Sequence, residues 1–379
     1  MNHPLALLNQ LTPAEFLAEY WQKKPLVIRQ AIPNFQGLLT PNELAGLACE
    51  EDAQSRIVQN KDDTWLLSHG PFDEETLTAL PEKNWTLLVQ SVNHHLTEAA
   101  ALLSQFNFIP HARLDDLMIS YAPTGGSVGP HMDSYDVFLL QGSGKRRWKI
   151  NAKPDLTLVD GVPLRILKHF DTEQEWVLEP GDMLYLPPNI AHYGISEDDN
   201  CMTYSIGFRV PKSQELIEGF LAHLQDTIQI EGLYEDADLS LQQHPAAISD
   251  AMIEKVSTIL QSITWDKATV SDFLGCYLTE PKPDVLFAAS VKKITIEAFA
   301  QLLAEQSIWL DLKSQLLFDQ RHQFYINGER LDISADILAL MCTLADQRFL
   351  QTTSLAYEQR LALANTLHAA LMAGYLHID

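Results

Sequence analysis

Apolar and polar positions alternate in short runs through the middle of the chain. From roughly 84 to 210, the segments DDLMISYA, YDVFLLQG, RRWKI, EWVLEPGDMLYLPP and CMTYSIGFRV are each cut by Gly, Pro or Asp. That is the pattern of short strands joined by tight turns, and many such strands predict a barrel or a double-sheet jelly roll. Upstream, LTPAEFLAEYWQKKPLVI predicts a capped helix leading into a strand. Thr12 is its N-cap, Pro13 takes the first helical position and Glu15 completes a capping box. Phe16, Leu17, Tyr20 and Trp21 form its expected buried stripe, and PLVIRQ is extended.

After PKSQ at 211 the period changes from two to that of a helix. Leu216, Phe220, Leu221, Leu224 and Ile228 fall on one helical face, and AAISDAMIEKVSTILQSI and KATVSDFLGCYL predict two more helices. TEPKPD, at 279–284, reads as a linker. Beyond it come a helix at TIEAFAQLLAEQ, a hairpin at SQLLFDQRHQFYINGERLDI turning on Asn327-Gly328, and helices at SADILALMCTLADQ and SLAYEQRLALANTLHAALMAGYLHI. The expected organisation is α+β: a barrel domain over 1–210, a helical segment over 211–279 and a winged-helix-like domain over 280–379.

Composition narrows the partners. The 379 residues are 46% hydrophobic and 20% charged, as in an ordinary folded protein, and the net charge is −24. Such a field repels nucleic-acid phosphates and anionic membrane and draws in basic partners. Even the last third is mildly acidic, so no direct nucleic-acid binding is expected. The four cysteines, Cys49, Cys201, Cys276 and Cys342, are scattered and form neither a disulfide framework nor a zinc knuckle. With no signal peptide and no long apolar run, the expected location is the cytoplasm, away from any membrane.

The chemistry concentrates at His131-Met132-Asp133. Residues i and i+2 of a strand share a face, so the imidazole and the carboxylate can converge on one ion without bending the backbone. His192, in PGDMLYLPPNIAHYG, is the expected third ligand, at a barrel mouth on an adjacent strand. Two histidines and one carboxylate, with the other positions open, is the facial triad of non-haem iron(II) oxygenases. A closed structural zinc site would instead use four ligands, usually with thiolates, and no cysteine lies near either histidine in sequence.

An oxygenase of the 2-oxoglutarate type also needs a buried cation for the far carboxylate of its co-substrate. In QGSGKRRWKI, strand alternation puts Arg146 on the face opposite Lys145 and Arg147, so Arg146 is the expected inward cation with Trp148 on its side. Ser120, in LMISYAP, is the candidate hydroxyl beside it. Lys145 and Arg147 read as solvated hairpin charges.

These segments, together with FLAEYWQKKPLVI, resemble the JmjC-type, cupin-like ribosomal oxygenases, and among them the bacterial arginine hydroxylases of a large-subunit ribosomal protein. The resemblance covers essentially the whole chain. It implies a double-stranded β-helix (jelly-roll) barrel, then a helical dimerisation segment and a winged-helix-like domain. It further implies His131, Asp133 and His192 as ligands of Fe(II), Arg146 and Ser120 as contacts to 2-oxoglutarate, dioxygen as the oxidant, and a homodimer built through the helices after 211. An acidic enzyme suits a basic ribosomal substrate. Asp115, Asp116 and Asp136 could receive an arginine but read first as turn or structural carboxylates, and Tyr135 and Tyr193 read as core packing as readily as entrance, so all five stay outside the expected site. The alternatives are the same chemistry on another protein residue (His or Lys) or on a small molecule, and a metal-binding cupin without turnover.

Overall fold

The run 137–140 is apolar on both faces because both are covered. Val137 and Leu139 cluster with Trp148, Ile150, Leu178, Leu184 and Leu186, while Phe138 and Leu140 pack the other way with Phe16, Tyr185, Tyr204 and Phe208. Continuous burial of this kind marks a strand in the middle layer of a sandwich. In the computed structural model, which describes residues 3–61, 64–291 and 293–379, the chain divides into two compact units. The first holds the chain up to Val210 with Lys282–Ala288 and Asp311–Lys313; the second holds the remainder.

The strands of the first unit are β1 (Leu26–Ile28), β2 (Ser55–Lys61), β3 (Thr64–His69), β4 (Trp85–Val89), β5 (Leu114–Ala122), β6 (His131–Met132), β7 (Val137–Ser143), β8 (Arg146–Asn151), β9 (Gln174–Leu178), β10 (Met183–Leu186), β11 (Ala191–Ser196) and β12 (Cys201–Phe208). They form two antiparallel sheets. The larger runs β1-β10-β7-β12-β5-β4-β2-β3 and the smaller β6-β11-β8-β9. Their facing side chains make the barrel interior, and the outer face of the larger sheet carries α1 (Pro13–Glu19), α2 (Pro41–Leu47), α3 (Glu74–Thr78) and α4 (Thr97–Ser104). This is the jelly-roll architecture expected, but it begins earlier than the expected strand region: β2 and β3 form a hairpin well before residue 84. The alternation in SRIVQNK and TWLLSH is the signal for it.

The capping box at α1 is present. Glu15 N–H donates to Thr12 Oγ1 at 3.2 Å, and Thr12 N–H donates to Glu15 Oε2 at 2.8 Å. The buried stripe is narrower than expected. Phe16 is fully buried, but Leu17 is 37% exposed, because a seven-residue helix lying on a sheet offers it only one face.

The second unit contains α5 (Ser213–Thr227), α6 (Asp250–Gln261), α7 (Lys267–Thr279), α8 (Ile296–Leu302), β13 (Ile308–Leu310), β14 (Leu316–Phe318), β15 (Phe324–Ile326), β16 (Glu329–Leu331), α9 (Leu338–Gln347), β17 (Phe349–Leu350), α10 (Tyr357–Ala373) and β18 (Leu376–Ile378). The expected hairpin is a three-stranded meander, β14-β15-β16. Asn327 (φ 47°) and Gly328 (φ 89°) make the tight turn between β15 and β16, as that dipeptide favours. The end of the last expected helix is instead β18, released by Gly374 at φ 81°. The helix α7 lies against the meander: Tyr325 Oη donates to Asp272 Oδ1 at 2.6 Å, and a Cβ on Gly275 would meet the Tyr325 ring at 2.2 Å. Among the described residues no helix is long and apolar enough to cross a membrane.

Candidate metal centre

A cavity of about 420 Å³ lies between the two sheets of the first unit. Its chemistry starts from one register. β6 pairs antiparallel with β11, which sets His131 directly opposite His192 and brings their ring centroids to 4.2 Å. β6 is only two residues long, so Asp133 sits just past its end. The turn before β11 anchors that position: Asn189 N–H donates to the Asp133 carbonyl at 2.8 Å, with Asn189 in the left-handed conformation (φ 65°) that asparagine tolerates.

Asp133 Oδ2 is then 3.9 Å from His131 Nε2 and 3.6 Å from His192 Nε2. One ligand atom from each of the three residues lies within 4.8 Å of the others. Backbone carbonyls select the tautomers. His131 Nδ1 is 2.9 Å from the Gly129 carbonyl and His192 Nδ1 is 3.1 Å from that of Ile190. A carbonyl only accepts, so each Nδ1 donates and each Nε2 keeps its lone pair toward Asp133. Burial, and next the nearby His131, push the His192 pKa down to about 4, so His192 is neutral at pH 7. Two lone pairs and a carboxylate converging in this way fit a divalent cation. No other group of three or more His, Cys, Asp or Glu side chains among the described residues converges this closely.

Arg146 lines the same cavity and is 3% exposed. The alternation along β8 holds: Arg147 turns outward to Glu175 and Glu197, and Lys145 pairs with Glu179. Arg146 has no such carboxylate. Its Nε donates to Cys201 Sγ at 3.4 Å, its guanidinium carbon is 5.7 Å from the Trp148 ring centroid, and its Nη2 has no partner. A buried guanidinium left this way is costly unless an anion joins it, so the position suits a carboxylate brought from outside. Ser120, on β5, lines the cavity too; its hydroxyl makes only a long 3.5 Å hydrogen bond to the Thr203 carbonyl. All five residues picked from the sequence therefore face one cavity.

Other candidates separate. Asp116 is buried in the cavity wall and takes hydrogen bonds on one oxygen, Oδ2, from Gln90 Nε2, Ser91 N–H and Ser91 Oγ. Burial and the neighbouring Asp115 push its carboxyl above the ordinary range. Asp115 and Tyr135 also line the cavity. Asp136 does not: it is buried beneath the larger sheet, accepting from Tyr185 Oη at 2.6 Å and Gln22 Nε2 at 2.9 Å. Tyr193 stacks edge-on with Phe170. Residues of the unforeseen hairpin and of β4, including Arg56, Leu67 and Thr86, complete the wall.

Comparison with known proteins places this geometry. The JmjC domain family matches residues 101–216, and the ROXA-like winged helix family matches 262–377. The chain is 35% identical over 327 residues to the ribosomal protein uL16 3-hydroxylase of Escherichia coli, covering 84% of this chain and 85% of that one. It is 36% identical over 346 residues to a probable ribosomal oxygenase of Haemophilus influenzae, covering 86% and 83%. The solved structure of E. coli YcfD superposes over the full length of both chains with a TM-score of 0.86 at 32% identity. YcfD in complex with cobalt and 2-oxoglutarate superposes with a TM-score of 0.82, covering 97% of this chain and 98% of that one. Two family matches in this order on one chain, and a relative more than a third identical across over four-fifths of both lengths, lead to one conclusion: this chain belongs to the JmjC-domain ribosomal oxygenases.

Proposed function

We propose that this protein is an Fe(II)- and 2-oxoglutarate-dependent oxygenase that hydroxylates an arginine side chain of a large-subunit ribosomal protein, by likeness uL16. The observation that carries the proposal is the pairing, in one cavity, of the His131–Asp133–His192 cluster with the buried guanidinium of Arg146, whose Nη2 has no partner. When bound, iron and 2-oxoglutarate supply the oxidation: dioxygen is consumed, the co-substrate loses CO2 to become succinate, and one substrate C–H becomes C–OH.

The chain's own residues hold and orient. His131 Nε2, Asp133 and His192 Nε2 would hold the metal, which would supply the oxidation chemistry in the cavity they border. Arg146 receives the far carboxylate of the co-substrate and Ser120 offers it a hydroxyl. Val58, Leu88, Met118 and Ile166 keep the wall apolar and exclude water. The choice of arginine rests on Asp116, a buried carboxyl in the same wall: burial and Asp115 press it toward its neutral form, and an incoming guanidinium would hold it charged and pair with it. The non-catalytic alternative gives no account of Arg146, a buried cation without an internal counter-charge.

The homodimer is also a proposal. Among its described residues α6 has none that is buried, and Ile253, Ile259 and Leu260 are exposed on it, as are Ile217 and Leu221 on α5. A second copy covering these faces would bury them. A ribosomal substrate puts the work in the cytoplasm.

The test uses purified protein with Fe(II), 2-oxoglutarate and either the ribosomal protein or a peptide from it. The expected result is succinate release together with a mass gain of one oxygen on an arginine, both abolished in Asp133→Ala. Oxygen on a histidine or lysine instead would overturn the arginine assignment. Absence of both 2-oxoglutarate binding and turnover would overturn the oxygenase reading.

A further inference from the structure

Four buried side-chain nitrogen or oxygen atoms among the described residues have no hydrogen-bond partner: Thr86 Oγ1, Arg146 Nη2, Trp148 Nε1 and Arg360 Nε. The first three belong to residues lining the one cavity. Native proteins leave few such atoms, and a cluster of them on one cavity wall marks where a polar ligand sits. Arg146 already has its role in the proposed function. Trp148 does not: the sequence places it beside Arg146 only as packing.

Trp148 is 5% exposed and sits two residues after Arg146, on the same face of β8. Its ring centroid is 5.9 Å from that of His192 and 5.7 Å from the Arg146 guanidinium carbon. The indole is therefore a near neighbour of both a residue of the metal cluster and the cation. A dicarboxylate joined to both must pass close to it. An indole N–H only donates, and a buried one without an acceptor carries a desolvation cost that a carboxylate oxygen removes. A phenylalanine would pack as well and leave nothing unpaired.

We propose that Trp148 is a co-substrate-binding residue, its Nε1–H donating to a carboxylate oxygen of 2-oxoglutarate as the acid spans from the metal to Arg146. This rests on the proposed function above and adds a third donor to Arg146 and Ser120.

The experiment is binding of 2-oxoglutarate, without protein substrate, to the full chain loaded with Zn(II) as a redox-inert, diamagnetic metal. The Trp148→Phe variant keeps the ring and removes only the N–H. Calorimetry should show 2-oxoglutarate binding about tenfold weaker or more in this variant, as for loss of a hydrogen bond to a charged acceptor, with Zn(II) affinity unchanged. The second readout is taken on the wild type, with the variant serving only to assign the resonance. With ¹⁵N-labelled indoles, one of the seven tryptophan N–H resonances should move on adding 2-oxoglutarate, and that resonance should be the one missing from Trp148→Phe. If the wild type binds 2-oxoglutarate but the variant binds equally well, or the Trp148 resonance stays in place, the inference is wrong while the oxygenase reading stands. If the wild type itself does not bind 2-oxoglutarate, the failure lies in that reading. Should Trp148→Phe not fold, Trp148→Tyr supplies the missing-resonance assignment in its place, and the wild-type shift then decides.

Discussion

Arg146 shows how one side chain ties sequence to chemistry. Its face on β8 follows from alternation, and its Nη2, buried without a partner, is what suits it to the proposed role of carboxylate receptor. Arg146→Met should weaken 2-oxoglutarate binding by about tenfold to a hundredfold, the range for a charge-assisted hydrogen bond, and leave metal binding intact. Arg146→Lys should recover only part, because a single ammonium cannot reproduce the planar fork. Isothermal titration with metal and with co-substrate separates the two effects. Asp116→Asn should raise KM for an arginine peptide about tenfold or more with little change in 2-oxoglutarate affinity, read from initial rates against peptide concentration. His192 predicts a pH effect. An unfolded imidazole takes up its proton near 6.5, the folded one only near 4. Between those values the unfolded state holds more protons, so the metal-free protein should lose stability as pH falls through that window. Urea melts at several pH values measure this slope, and His192→Asn should flatten it.

At the scale of elements, the site depends on the smaller sheet keeping its register. β11 carries His192 against β6 on one side and pairs with β8 on the other, so a single strand positions the metal cluster and faces the Arg146–Trp148 edge. Gly194 is the close approach that allows this. It pairs with Trp148, and a Cβ there would meet the indole ring at 2.6 Å. Gly194→Ala should therefore push the indole or separate the strands. The expected cost is about 1–3 kcal/mol of stability, the usual range for overpacking, with weakened 2-oxoglutarate binding. Thermal melts and co-substrate titration check both parts; a variant as stable and as tight as wild type would show that the ring is not held there.

Across the whole molecule, the excess of 50 acidic over 26 basic side chains gives a field that draws in a basic substrate. The rate of association with the ribosomal protein should fall steeply as salt is raised, and stopped-flow binding at several ionic strengths would show it. The exposed apolar residues on α5 and α6 set the other large-scale expectation. Replacing Ile253 and Leu260 by Glu should convert a dimer to a monomer in sedimentation, while the first unit keeps its metal and co-substrate binding.

The sequence by itself determined the strand-rich barrel, the change to helices after 211, the shared face of His131 and Asp133 and the inward turn of Arg146. Each follows from a local period: a spacing of two sets faces on a strand, and a spacing of three to four sets faces on a helix. Tertiary structure alone decided which strands became neighbours, and with that the register of His131 on His192, the recruitment of β2–β4 into the cavity wall, and the division of Asp116 and Asp136 between cavity and core. It also decided that Trp148 Nε1 and Arg146 Nη2 remain without partners. Whether a buried donor is satisfied depends on residues far away in sequence that folding brings within 3 Å or so, and no local period encodes that distance.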